Sequence, residues 1–156
     1  MEYKTHIAMY LGKKSENPKT TKLDQLICFA TGERYSHIEL VYDYSPITQV
    51  GLSWSSSPRD GGVRPTRIDY GTKRWELYQI PTRFSEDDII EWFNARSGAK
   101  YDWFGAVGVV LPFIGQEPSK YFCSEIIGYC LDIPNAHKLK PGKVLQYYGN
   151  SAIRVL

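Results

Sequence analysis

A cysteine followed by polar residues is the strongest candidate for chemistry in this sequence. Cys123 lies at the predicted start of a helix, within the run YFCSE at residues 121–125. The free backbone N–H groups and the dipole of a first helical turn stabilise a thiolate placed there. Polar residues directly after the thiol fit a helix start that faces a cleft better than a helix in the core. We therefore take Cys123 as the candidate nucleophile.

A thiol nucleophile needs a general base, and imidazole is the usual choice because its pKa lies near neutrality. The chain has three histidines, His6, His37 and His137. Side chains alternate along a strand, so His37 shares one face of a predicted strand with Glu39. That strand's sheet could receive the Cys123 helix, which makes His37 the preferred base. His6 is a rival on another strand, His137 lies in a loop, and a buried cysteine with an ordinary strand histidine is the alternative interpretation.

The remaining cysteines and histidines indicate neither a disulfide framework nor a metal site. Cys28, Cys123 and Cys130 are odd in number, so at least one thiol is unpaired within the chain. In one helix, Cys123 and Cys130 would lie about 10 Å apart, too far for a disulfide. No Cys or His pair has the spacing of a structural zinc site, and the glycines form no phosphate loop. We expect no metal and no cofactor.

A group of arginines surrounds a predicted turn at residues 58–62 (PRDGG). Arg59, Arg64 and Arg67 could hold a substrate carboxylate, since guanidinium groups bind carboxylates through two parallel hydrogen bonds. A solvated strand face is the favoured explanation of their spacing. Tyr35 and Tyr101 are candidates for the walls of a cleft, with core packing as their favoured role.

Hydrophobic periodicity predicts a mixture of strands and helices that would position these residues. Leucine, isoleucine and alanine at helical spacing in 22–31 should pack that helix on the sheet, with Gly32 as its C-cap. Ser85 and Asp88 form a capping signature at the start of the second helix. Residues 105–113 are either a short buried helix or a packed loop. The predicted strands are 4–11, 35–42, 48–55, 63–70, 74–80 and 152–156, and the predicted helices are 22–31, 86–97, 123–133 and a turn at 144–148.

Composition places the chain among ordinary folded domains. Its 156 residues fit one domain, residues 1–156, with 42% hydrophobic and 23% charged residues. A formal net charge of +2 gives no reason to expect a nucleic-acid partner. The apolar run at 103–115 is too short to span a membrane, and residues 1–6 do not resemble a signal peptide. We expect a cytoplasmic protein.

Five segments of the chain form a recognisable combination. They are LDQLI at 23–27, YSHIEL at 35–40, SPRDGGVR at 57–64, YDWFG at 101–105 and FCSE at 122–125. Together they resemble the permuted papain-like cysteine hydrolases, in the order typical of NlpC-related and YiiX-like proteins. The likeness spans roughly residues 20–130 and is greatest to small members of bacteriophages and prophages, so the expected cytoplasm would be that of the host cell. In such proteins the histidine strand precedes the cysteine helix, which is the reverse of the order in papain.

The resemblance implies an α+β fold in which an antiparallel sheet packs against the helix bearing the cysteine. It implies that Cys123 is the nucleophile and His37 the base. In relatives a third polar residue, often Glu, orients the histidine from the strand before the Gly-Gly-Val turn. Residues 52–56 (LSWSS) hold no acid there. Ser55 is the nearest match, and Glu39 could substitute.

The resemblance also implies the class of reaction, acyl transfer through a Cys–His pair. A peptidase or amidase acting on a cell-wall peptide is the first expectation for the function. A hydrolase or acyltransferase on a lipid or other ester is the second, because the lecithin retinol acyltransferase group belongs to the same set. A binding module that keeps the fold with weak catalysis is the third, because the expected acid is missing. A lipid substrate would predict an apolar groove from residues 103–114, and a peptide a polar cleft using Arg59 or Arg64.

Overall fold

An antiparallel sheet carries the candidate residues in the computed structural model, which describes residues 2–108 and 119–156. Within these residues the strands are β1 Tyr3–Leu11, β2 Tyr35–Ser45, β3 Val50–Ser57, β4 Gly62–Asp69, β5 Trp75–Thr82 and β6 Ile153–Arg154. They form one sheet in the order β4-β3-β2-β1-β5-β6. Strand β4 is an edge strand, so its Pro65 interrupts no central hydrogen-bond ladder.

Five α-helices are present in the same part of the chain, and two of them begin with a complete capping box. Thr21 and Asp24 cap the first helix, and Ser85 and Asp88 cap the second. Each box satisfies backbone N–H groups that have no partner within the helix. The helices are α1 Lys22–Thr31, α2 Glu86–Asn94, α3 Trp103–Gly108, α4 Cys123–Cys130 and α5 Pro141–Tyr148.

The main core lies between one face of the sheet and helices α2, α4 and α5. Trp54 of β3 stacks on Phe93 of α2, with ring centroids 5.4 Å apart and an interplanar angle of 15°. Helix α4 buries seven of its eight residues here. The largest fully buried apolar side chains of this core are Ile7, Met9, Ile38, Leu40, Ile80, Ile89, Phe93, Ile126 and Ile127.

A smaller apolar cluster covers part of the opposite sheet face. Tyr70, in the connection from β4 to β5, is fully buried against Ala8, Val41 and Leu77. Its ring also meets the edge of Trp75, with centroids 5.4 Å apart. The β4–β5 connection therefore packs on this face, which is also the face that carries Glu39.

Most predicted elements are confirmed, with differences at their ends. The second helix ends at Asn94 rather than at residue 97, and the last strand has two residues. Residues 105–108 of the predicted 105–113 segment are helical, and 109–113 lie outside the described residues. In the described ranges, no helix is long and apolar enough to cross a membrane.

Helix α1 contacts β2 of the sheet, and its bounds and left-handed C-cap Gly32 are confirmed, but the predicted apolar face is not the buried one. The helix buries Asp24 and Cys28, while Leu26 is 60% exposed. Hydrogen bonds explain the orientation: the Asp24 carboxylate accepts from Ser36 Oγ at 2.9 Å and from Arg59 Nη2 at 2.6 Å. Polar contacts outweigh apolar burial in fixing this short helix.

Candidate active site

Cys123 is the first residue of α4, as the sequence predicts. The polar residues after it do not face a cleft, however, because Ser124 and Glu125 are both buried. Ser124 Oγ donates to the Leu139 carbonyl at 2.6 Å, and Glu125 Oε2 accepts from the Phe122 backbone N–H at 3.2 Å. These bonds hold the start of a core helix, so they fix the position of the thiol. Cys123 is itself 6% exposed.

His37 of β2 contacts both Cys123 and Glu39. Its Nε2 lies 2.7 Å from Glu39 Oε1, and the Cys123 side chain is near enough to raise the pKa of the imidazole. Because Nε2 is occupied by the carboxylate, Nδ1 is the ring nitrogen left for sulfur. The Trp75 ring lies edge-on to the imidazole, with centroids 6.4 Å apart. The imidazole is therefore oriented from two sides with one nitrogen toward the thiol.

Arg64 of β4 holds the Glu39 carboxylate through two hydrogen bonds. Nη1 donates to Oε2 at 2.8 Å, and Nη2 donates to Oε1 at 2.6 Å. The Arg64 Nε donates in turn to Asp60 Oδ2 at 2.7 Å. Glu39 is fully buried, so its charge requires such partners. We call Cys123, His37, Glu39, Arg64 and Asp60 together the His37 network.

The network favours the charged forms of its members. Burial alone would raise the pKa of Glu39, but hydrogen bonds and charges from His37 and Arg64 outweigh burial and lower it to about 2. Burial likewise opposes the charge on His37, but the neighbouring Cys123 and Glu39 side chains raise the imidazole pKa to about 9. At neutral pH the structure thus holds an imidazolium between the Glu39 carboxylate and the Cys123 sulfur.

The other two thiols are in different surroundings. Burial raises the pKa of Cys28 to about 11, with Asp24 and Glu33 adding to the effect. Burial raises the pKa of Cys130 to about 12. Both are free thiols, as is Cys123. Because the thiolate is the nucleophile, Cys28 and Cys130 are poorly suited to attack at neutral pH.

Ser55 and the rival histidines are not brought to the thiol. Ser55 is fully buried, and its Oγ donates to the Ile38 carbonyl at 2.7 Å, which braces the β2 backbone beside His37. His6 lies on β1 with its ring 5.3 Å from that of Tyr44. His137 belongs to a short 3-10 turn after α4. Of the predicted site residues, the structure assembles Cys123, His37 and Glu39.

The favoured interpretation of the arginine group is wrong for Arg64. Its side chain is 19% exposed and is bound to Glu39 and Asp60, so it is not a solvated strand residue. Arg59 is half-exposed and pairs with Asp24 at 2.6 Å. Sequence analysis missed the role of Arg64 because strand order is not visible in sequence. The register Ser55↔Arg64 places this arginine two strands from Glu39 on the same face.

A cavity of about 430 Å³ opens beside the His37 network. His37, Glu39, Arg64 and Tyr101 are among its lining residues, whereas Cys123 is not, so the cavity meets the Cys–His pair on the histidine side. Tyr101 is 8% exposed, and burial, followed by the nearby Cys123, raises the pKa of its hydroxyl. Tyr101 is thus both buried and part of the cavity wall.

Tyr35 follows the favoured prediction, since it packs in the main core. Its hydroxyl donates to Glu76 Oε2 at 2.5 Å.

Comparison with known proteins assigns the chain to no family. No protein-family model matches the sequence, and no curated protein matches it. Within the residues that the structure describes, no group of three or more His, Cys, Asp or Glu side chains could hold a metal ion. The case for a function therefore depends on the geometry around Cys123.

Proposed function

We propose that the chain is a thiol-dependent hydrolase with a permuted papain-like fold of the NlpC-related, YiiX-like type. The observation that carries the proposal is the His37 network, in which one imidazole binds a buried carboxylate and lies beside the Cys123 side chain. The histidine strand β2 precedes the cysteine helix α4 in the chain, which is the order of the permuted group. The packing of the cysteine helix α4 against β2 and β3 of the antiparallel sheet supports the proposed fold.

The proposed mechanism is acyl transfer in two steps. In the first, the Cys123 thiolate attacks an acyl carbonyl, whose oxygen takes the electron pair and accepts a hydrogen bond from the Cys123 backbone N–H. The imidazolium of His37 then gives its proton to the leaving amine or alcohol as that bond breaks. In the second step, neutral His37 takes a proton from water, the hydroxide attacks the thioester, and the carboxylic acid leaves. The thiolate and imidazolium are thereby restored.

Glu39 fills the place of the acid that is missing from β3. A carboxylate on the far side of the imidazole fixes its orientation and stabilises the imidazolium. Arg64 keeps that carboxylate ionised within a buried site. The missing acid was the reason to consider a binding module, so this arrangement favours an enzyme.

The lining of the cavity favours a peptide amide as the substrate, and a cell-wall peptide fits the phage-like resemblance. Charged groups from α1, β4 and the adjoining turns face the space, as a peptide with polar side chains would require. These groups are Asp24, Arg59, Asp60, Arg67, Asp69 and Arg74.

A lipid or other acyl ester is the second candidate, and one observation favours it. Trp103 and Phe104 of α3 are 51% and 58% exposed, two and three residues after Tyr101 of the cavity wall. Exposed aromatic side chains of this kind suit contact with acyl chains. The rest of the expected groove, residues 109–114, lies outside the described residues.

The proposal is tested by the pH dependence of Cys123 alkylation by iodoacetamide, followed by mass spectrometry. We expect the rate in the wild type to persist well below pH ~8.5, the pKa of an ordinary thiol. We expect His37→Ala to remove that low-pH reactivity, because the imidazolium that stabilises the thiolate is gone.

Cys28 and Cys130 are internal controls in the same samples, since burial raises the pKa of each. Thermal melts of wild type and His37→Ala establish that both proteins are folded at each pH. If Cys123 reacts no faster than an ordinary thiol, or if His37→Ala leaves its pH profile unchanged, the enzyme proposal fails.

A further inference from the structure

We propose that Arg67 and Arg74 form a carboxylate-binding subsite in the cavity beside His37, which makes an acidic peptide the preferred substrate. This inference rests on the proposed function of Cys123 and His37. Both arginines line the same cavity as His37. Arg67 lies three residues beyond Arg64 on β4, which is about 10 Å along the strand.

The four arginines that line the cavity divide into two kinds. Arg59 pairs with Asp24, and Arg64 pairs with Glu39 and Asp60, so both are engaged by the protein itself. The other two differ. Across residues 2–108 and 119–156, neither Arg67 nor Arg74 has an acidic side chain within ion-pair distance. Two cations of the cavity therefore have guanidinium groups to offer a ligand.

Among the described residues, the contacts of Arg74 leave its terminal nitrogens for a ligand. Its Nε donates to Thr72 Oγ1 at 3.3 Å, and its carbonyl accepts from the Leu11 backbone N–H at 2.9 Å. These contacts fix the backbone and the base of the guanidinium. The neighbouring Trp75 packs on Tyr10 with ring centroids 4.9 Å apart, which holds the start of β5 in place.

One acid also lines this part of the cavity. Asp69 accepts a hydrogen bond from the Gly71 backbone N–H at 2.9 Å, so its carboxylate braces the β4–β5 turn. Among the described residues of the lining, four arginines and the charged His37 face the four acids Asp24, Glu39, Asp60 and Asp69, which leaves a surplus of one positive charge. A carboxylate is the ligand that this surplus favours, since the guanidinium fork matches its two oxygens. The distance of about 10 Å from Arg64 to Arg67 along β4 corresponds to roughly three extended peptide residues.

The test compares two alkylating peptides that differ in one group. Chloroacetyl-Ala-Ala with a free C-terminal carboxylate and the same peptide as its carboxamide both present a chloromethyl carbon to Cys123. Sulfur forms a thioether with that carbon, and chloride leaves with the bonding electrons. The ratio of the two alkylation rates at Cys123 reports preference for the carboxylate independently of the intrinsic reactivity of the thiol.

We expect the wild type to alkylate with the carboxylate peptide on the order of tenfold faster, as loss of a charge-assisted hydrogen bond would predict. Arg67→Gln and Arg74→Gln should each bring the ratio toward one. Arg83→Gln is the matched control, because Arg83 is exposed, pairs with Asp132 and does not line this cavity. Its ratio should equal that of the wild type.

The outcomes separate this inference from the proposed function. A wild-type ratio near one, or an equal fall in the ratio for Arg83→Gln, overturns the carboxylate subsite while Cys123 stays reactive. If neither peptide labels Cys123 faster than Cys28 or Cys130, the proposed function itself fails. Circular dichroism of each variant excludes unfolding as the cause of a lower ratio.

Discussion

Replacing Glu39 by Gln tests whether the charges of the His37 network stabilise the folded protein. Gln keeps the size of the side chain and removes the carboxylate charge. Arg64 would then retain Asp60 as its one acidic partner among the described residues, and His37 would lose the carboxylate on Nε2. Breaking a buried ion pair on one side is costly because it leaves a buried charge without its partner.

The pKa of Glu39 gives the size of the expected effect. The value falls from 4.5 to about 2 on folding, and each unit of pKa corresponds to ~1.36 kcal/mol. The ionised carboxylate therefore contributes about 3 kcal/mol to the free energy of unfolding at neutral pH. Because the folded pKa is the lower one, this contribution is complete above pH ~4.5 and is lost as the pH falls toward 2. We expect Glu39→Gln to be less stable than the wild type by about 3 kcal/mol at pH 7.

Urea unfolding followed by circular dichroism measures this difference. Glu91→Gln on the exposed side of α2 is the matched control and should change the free energy of unfolding by less than about 0.5 kcal/mol. The difference in free energy of unfolding between the wild type and Glu39→Gln should decrease steadily as the pH is lowered from 4.5 to the lowest pH at which the wild type folds. A difference below about 1 kcal/mol at pH 7, or one that does not depend on pH, would refute the electrostatic argument.

Two further substitutions test neighbouring parts of the site. Arg64→Lys keeps the positive charge but loses the pair of hydrogen bonds to Glu39. We expect the free energy of unfolding in urea to fall by about 1–2 kcal/mol and the iodoacetamide rate at Cys123 to fall below that of the wild type. Unchanged values for both would contradict the role of Arg64. Burial raises the pKa of Glu125 to about 7, and nearby Asp102 adds to the effect. The folded state therefore loses stability as the pH rises from 4.5 through 7. Glu125→Gln should be more stable than the wild type by about 2 kcal/mol at pH 8 and equally stable near pH 4. Equal melting curves at pH 8 would contradict the raised pKa of Glu125.

Local structure could be predicted from the sequence because its signals are local. The capping residues Ser85 and Asp88, the left-handed Gly32 and the alternation of β2 each act over a few residues. The predicted face shared by His37 and Glu39 follows from the same alternation, and the structure has the two side chains 2.7 Å apart.

The remaining features depend on contacts between distant segments. The orientation of α1 follows from Asp24 reaching Ser36 and Arg59, which a hydrophobic pattern cannot reveal. The role of Arg64 follows from strand order, since β4 and β2 are separated by β3 in the sheet. Sequence analysis could name the members of the site, but it could not state which cation would meet which acid.

The Gly61-Gly62 turn at the start of β4 brings two distant segments of the chain together. A Cβ on Gly62 would lie 1.9 Å from the Ala99 carbonyl oxygen, so that position requires glycine for the segment at 98–101 to approach. Hydrogen bonds from Val63 N–H to Ala99 and from Tyr101 N–H to Gly61 join the two segments. The same close approach thus places Tyr101 in the cavity wall and sets the start of the strand that carries the arginine of the His37 network. A motif that looks like a simple turn in the sequence positions both sides of the candidate active site.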